Sequence, residues 1–212
     1  MNLVYKSCSL ALRNLWGLLY KTEWHGIRHI PETGPLLVVC NHTSFFDPPL
    51  LGAVKTRDFH FLARETLLSN PVAKWLLPRL NTIPVDRDGG KDAKAVGKVL
   101  KALSQGEAVV VYPEGTRSPD GEIHPAKAGI GLLACRSKAN ILPMRIFGAY
   151  DIYNRETKIP AIRGKLDVVF GPVLTPADFD PGRKSKNRFQ EAIDRAMGAV
   201  AELEVPGGTP SG

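Results

Sequence analysis

From residue 36 onward, short β-rich runs alternate with helical patterns, and this alternation constrains the fold more than any other feature. Leu36–Cys40, Phe59–Ala63, Thr82–Val85, Ala108–Tyr112, Ile141–Phe147 and Leu166–Phe170 read as strands. Between them, Lys91–Gly106 carries an apolar helical face of Val96, Val99, Leu100 and Leu103, with Gly106 as a natural stop. Phe189, Ala192, Ile193, Ala196 and Val200 mark another amphipathic helix near the C-terminus. Strands alternating with helices predict a single α/β domain with a mostly parallel central sheet flanked by helices. With 212 residues, the chain suits one compact domain. The expected organisation is a first helix within 1–22, a main domain over 23–204 and a tail at 205–212.

The first helix, over 3–21, carries Asn2, Lys6, Ser9 and Arg13 on one face. Trp16 and Tyr20 suit the headgroup level of a bilayer, and Lys6, Arg13 and Lys21 can reach anionic phosphates. An interfacial membrane helix is therefore expected, against the plainer reading of a helix packed on the domain. No apolar stretch reaches the roughly 20 residues that span a bilayer, and no cleavage site of a secretory signal follows the apolar N-terminus. The expected location is peripheral or monotopic, on the cytoplasmic face of the membrane.

A net charge of +7 favours anionic partners without choosing among them. Nucleic acid is not expected, because the chain has no recognition-helix motif, aromatic RNA-binding block or zinc framework. The stripe Lys91, Lys94, Lys98 and Lys101 reads as a solvated helix face, with a membrane or an acyl carrier protein as the alternative docking partner. Cys8, Cys40 and Cys135 form neither a metal-ligand cluster nor a disulfide framework. Cys40 ends an apolar run and reads as strand packing despite lying two residues before His42.

Two clusters carry chemistry. Asn41-His42-Thr43-Ser44-Phe45-Phe46-Asp47 follows the first predicted strand. With His42 in a loop and Asp47 in the next turn, the carboxylate can accept from Nδ1–H and leave Nε2 as a base. Pro113-Glu114-Gly115-Thr116-Arg117-Ser118 follows the strand ending at Tyr112, and offers backbone N–H groups and a guanidinium suited to an oxyanion or a phosphate. Thr82-Ile83-Pro84-Val85-Asp86-Arg87 repeats the design of a strand ending in charge. Ser44 and Ser118 lie outside any G-x-S-x-G elbow, so a serine hydrolase is not expected.

Together these blocks resemble the 1-acylglycerol-3-phosphate acyltransferase family of glycerolipid acyltransferases. Asn41-His42 through Asp47 is similar to its N-H-x-x-x-x-D block, Ile83–Arg87 to its second block, and residues 113–118 match its P-E-G-T-R-S block unchanged. Lys127-Ala128-Gly129 and Leu142-Pro143-Met144 resemble the blocks that follow, and the likeness covers roughly residues 25–175. Asn81 stands where a Gly often opens the second block. Arg64 and Thr66 replace the lysine and glutamate of a K-x-E-L segment.

The resemblance implies transfer of an acyl group from acyl-CoA or acyl carrier protein to the sn-2 hydroxyl of lysophosphatidic acid, at an anionic membrane surface, with no metal or bound cofactor. It implies His42 as general base, Asp47 as its partner and the Glu114–Gly115–Thr116 backbone as oxyanion donor. Glu114 would brace the turn or meet the glycerol hydroxyl. Arg87 and Arg117 would grip the phosphate, with Arg64 and Lys127 beside them. Another glycerolipid or lysophospholipid acceptor is the alternative.

Overall fold

A computed structural model describes residues 3–85 and 92–207 of the chain. In chain order the elements are α1 (Leu3–Tyr20), β1 (Glu23–His25), β2 (Leu36–Cys40), α2 (Asp47–Gly52), β3 (Phe59–Arg64), α3 (Pro71–Leu76), β4 (Thr82–Val85) and α4 (Asp92–Ser104). The second half holds β5 (Ala108–Val111), α5 (Ala128–Ser137), β6 (Asn140–Phe147), α6 (Ala149–Tyr153), β7 (Asp167–Phe170), α7 (Pro176–Phe179) and α8 (Arg188–Ala201).

The strands form one seven-stranded sheet in the order β1-β7-β6-β2-β5-β3-β4, parallel throughout except between β6 and β7. The α/β expectation therefore holds. All five residues of β2 are buried, because both faces of the sheet are covered. Leu36, Val38 and Cys40 point into the core shared with Trp16, Leu50 and Ile152. Leu37 and Val39 point into the core shared with Val99, Leu133 and Ile193. Thus α1, α2 and α6 cover one face, and α4, α5 and α8 the other.

Two positions explain why particular residues stand where they do. Asn81 sits just before β4 in the left-handed region, with φ 54° and ψ 37°. Glycine adopts that conformation without strain, and Asn is among the few other residues that tolerate it. The departure from the glycine common at this position thus preserves the turn. Asn81→Gly should be near neutral in chemical denaturation, whereas Asn81→Val should cost about 1–2 kcal/mol. The second position is Gly131 in α5, where a Cβ would lie 1.7 Å from the Phe189 carbonyl oxygen at the start of α8.

The structure corrects the expected orientation of α1. Trp16 and Tyr20 are buried and pack on Phe46 with ring centres 4.8 and 5.7 Å away. They face the domain rather than a bilayer, joined on that side by Tyr5 and Ser9. The physical reason is that α1 must cover α2 and the open face of the sheet, and its rings supply the area. Its outward face carries Leu3, Leu10, Leu15 and Leu18. Among the described residues, no helix is long and apolar enough to cross a membrane. Within the lysine stripe, Lys98 Nζ donates to the Pro84 carbonyl at 2.7 Å, and Lys94 and Lys101 are exposed. Lys91 lies outside the described residues.

Candidate active site

Parallel register builds the site. Val39 of β2 lies opposite Val111 of β5, so three residues further on His42 emerges opposite Glu114. Both backbone groups of His42 are then tied to the second loop. Its N–H donates to Glu114 Oε1 at 3.0 Å, and its carbonyl accepts from Ser118 N–H at 2.7 Å. Asn41 fastens the base of the same loop, exchanging two side-chain hydrogen bonds with the Ile146 backbone at 3.0 and 2.9 Å.

Asp47 is the first residue of α2, where Pro48 and Pro49 fit because the first turn needs no N–H. Its Oδ2 accepts from His42 Nδ1 at 2.8 Å and from the Thr43 and Ser44 amides at 2.8 and 2.9 Å. The carboxylate is fully buried, so these three donors replace its water. The bond to Nδ1 leaves Nε2 as the proton-accepting nitrogen. On its other side the imidazole stacks on Tyr112, with ring centres 4.1 Å apart and planes 20° from parallel.

The Arg117 guanidinium carbon stands 3.3 Å from the Phe45 ring centre, and its Nη1 is buried with no hydrogen-bond partner among the described residues. Burial, with the charges of Arg64 and Arg155, lowers its pKa, while Asp47 and Tyr153 act to raise it. Three further buried polar atoms with no partner among the described residues belong to side chains around His42: Asp47 Oδ1, Tyr112 Oη and Glu114 Oε2. Buried polar atoms are normally satisfied, so their concentration beside His42 marks a place for a polar ligand.

Glu114 is buried, and burial pushes its pKa from 4.5 up to about 7 although the His42 and His124 amides favour the anion. The native state therefore keeps a proton that the unfolded chain releases above pH 4.5. Stability should fall as pH rises from 4.5 to about 7 and then level off. Glu114→Gln should flatten that limb in urea denaturation at pH values across the window.

Gly115 shapes the turn after Tyr112. Its N–H donates to the Tyr112 carbonyl at 3.0 Å, closing the turn, so that amide is already committed. The residue is glycine because φ is 75° and because the Lys127 ammonium lies 2.7 Å from where a Cβ would stand. The Glu114 and Thr116 amides are the other candidate donors of that turn. Lys127 thus joins the site, and Arg64 stands exposed at the end of β3 with its charge felt at Arg117. Arg87 and Asp86 lie outside the described residues.

Other nucleophiles are removed. Cys40 is fully buried, and burial together with Asp47 and Glu114 raises its thiol well above the usual range. Ser44 Oγ donates to the Tyr153 carbonyl at 2.6 Å, and Ser118 Oγ to Asp120 at 2.9 Å. Sequence reasoning missed Tyr112, Phe45 and Arg155. An aromatic residue directly before the Pro-Glu-Gly turn was the one available signal for Tyr112, whereas Arg155 arrives from a distant loop with none.

A family model described as Acyltransferase matches residues 21–147. The 1-acyl-sn-glycerol-3-phosphate acyltransferase of Bacillus subtilis is 27% identical over 205 residues, 95% of this chain and 97% of its own length. The 1-acyl-sn-glycerol-3-phosphate acyltransferase alpha of Mus musculus is 32% identical over 216 residues, covering 94% of this chain and 73% of its own. The crystal structure of the 1-acyl-sn-glycerophosphate (LPA) acyltransferase PlsC from Thermotoga maritima superposes with a TM-score of 0.77 at 23% identity, over 93% of this chain and 77% of that one. At that identity the superposition speaks for the fold.

Proposed function

The chain belongs to the acyltransferase family, and on that premise we propose that it acylates the sn-2 hydroxyl of 1-acylglycerol-3-phosphate. The donor is an acyl thioester, acyl-CoA or acyl carrier protein, and the product is phosphatidic acid for phospholipid synthesis. The observation that carries this reading is the His42–Asp47 pair beside a buried Arg117 nitrogen that has no partner among the described residues. It combines a base with a cation able to hold a phosphate.

In the proposed mechanism, His42 Nε2 takes the proton of the acceptor hydroxyl as its oxygen attacks the thioester carbonyl. Asp47 holds the imidazole through Nδ1 and stabilises the imidazolium that forms. The tetrahedral oxyanion is met by the Thr116 amide or the Lys127 ammonium. Collapse breaks the carbon–sulfur bond, and the thiolate departs with the proton that His42 returns. A thiolate leaves readily, so the chemistry calls for no metal or bound cofactor. Glu114 acts by positioning, bracing the His42 backbone. Arg117 grips the acceptor phosphate, with Arg64 and Arg87 supporting it.

The same reading places the enzyme peripherally on the cytoplasmic membrane face, held on anionic lipid by the outward leucines of α1. Competition between lysophosphatidic acid and its phosphate-free monoacylglycerol counterpart tests the acceptor. The phosphate-bearing lipid should win, and Arg117→Ala should raise its KM by about 10- to 100-fold, the worth of a charge-assisted hydrogen bond. Equal use of both lipids by the unmodified enzyme would point to a different acceptor.

A further inference from the structure

The loop between α6 and β7 carries a short apolar run, Ile159-Pro160-Ala161-Ile162, bracketed by Lys158 and Arg163. Ile159 and Ile162 are 79% and 76% exposed, matched among the large apolar side chains of the described residues only by Leu3 and Leu18 of α1. Side chains of this kind at a loop tip would ordinarily fold inward or be replaced by polar residues.

Fraying does not explain their exposure, because the loop backbone is pinned. Asn154 starts it by accepting from the Glu156 and Thr157 amides at 2.9 and 3.1 Å and from the Thr157 hydroxyl at 2.9 Å. At the tip, Ala161 N–H donates to the Ile152 carbonyl at 3.0 Å, and the Ala161 carbonyl accepts from the Tyr20 hydroxyl at 2.9 Å. The loop is thereby fastened to the C-terminal end of α1, whose Leu18 is 83% exposed. It also begins at the catalytic mouth, since Tyr153 packs on Phe45 and Phe46 with ring centres 4.9 and 5.1 Å away.

We propose that the 158–163 loop is a second membrane anchor, in which Ile159 and Ile162 enter the acyl boundary of an anionic bilayer while Lys158 and Arg163 meet lipid phosphates. It deepens the membrane reading above and rests on it. Charge complementarity selects the partner, because among the described residues neither Lys158 nor Arg163 has an ion-pair partner. An apolar tip ringed by cations fits anionic lipid better than an acidic protein face, which would leave the isoleucines in water. With α1 on one side and the loop on the other, the two anchors set the entrance beside Phe45 and Phe46 at the membrane surface.

The test is cosedimentation of the full chain with vesicles of phosphatidylcholine alone or mixed with phosphatidylglycerol. Ile159→Ser with Ile162→Ser should weaken partitioning about tenfold or more onto mixed vesicles. Lys158→Gln with Arg163→Gln should weaken it by about fivefold per charge, only on the anionic vesicles, and reduce its salt dependence. Both variants should keep their thermal melts and their turnover of a short-chain, water-soluble lysophosphatidic acid. Wild-type partitioning by the isoleucine variant, or failure of the wild type to bind anionic vesicles, overturns the proposal. Normal vesicle binding with no use of lysophosphatidic acid would instead overturn the acceptor assignment and leave the anchor standing.

Discussion

Replacing His42 by alanine should lower kcat by about 10²–10⁴-fold, the usual contribution of a positioned general base, with little change in acceptor KM. The variant should remain folded. Asp47 Oδ2 would still accept from the Thr43 and Ser44 amides at 2.8 and 2.9 Å, so losing the imidazole does not strand a buried carboxylate. The His42 N–H to Glu114 and the Ser118 bond to the His42 carbonyl are made by backbone and survive the substitution. Asp47→Ala is the instructive contrast. It frees the imidazole and also strands two buried amides, each costing about 1–3 kcal/mol, so stability and rate should fall together. Circular dichroism and steady-state kinetics on both variants separate a lost base from a collapsed loop.

The second large effect is on stability. Gly131→Ala places a methyl group 1.7 Å from the Phe189 carbonyl oxygen, where only backbone movement can relieve the overlap. Because α5 and α8 share the core under β2, their separation loosens Leu133, Ile193 and Ala196 as well. A cost of about 3–5 kcal/mol is expected, a large share of a domain's total of roughly 5–15 kcal/mol. For a chain of this size that is a fall in melting temperature of roughly 6–20 °C. Differential scanning calorimetry measures it. A melt within a degree or two of the wild type would mean that α8 yields at no cost.

Much of this architecture is legible in the chain because parallel strands have a single polarity. Once Leu36–Cys40 and Ala108–Val111 are read as neighbouring parallel strands, their C-terminal ends must share an edge. His42, Glu114 and Arg117 then meet there without further information. The side of α1 that faces the domain is not legible in the same way. Its apolar residues cover most of the helix beside the stripe of Lys6, Ser9 and Arg13, so periodicity does not distinguish Trp16 packed on Phe46 from Trp16 at a headgroup. β1 escapes notice because three residues, Glu-Trp-His, are too few to show alternation. The use of the Gly115 amide inside its own turn, and the stacking of Tyr112 on His42, depend on atomic geometry that residue types do not encode. Asn81 shows the reverse case. What looks like a departure at a glycine position becomes intelligible once its φ of 54° is known.

The most direct measurement follows label from donor to product. Purified wild-type protein and His42→Ala are each incubated in detergent with labelled lysophosphatidic acid and either acyl-CoA or acyl carrier protein thioester. Wild type should form labelled phosphatidic acid with one of the two donors, and the variant should form it at least about a hundredfold more slowly. No labelled phosphatidic acid from either donor, or equal rates with and without the imidazole, would contradict base-catalysed acyl transfer at His42.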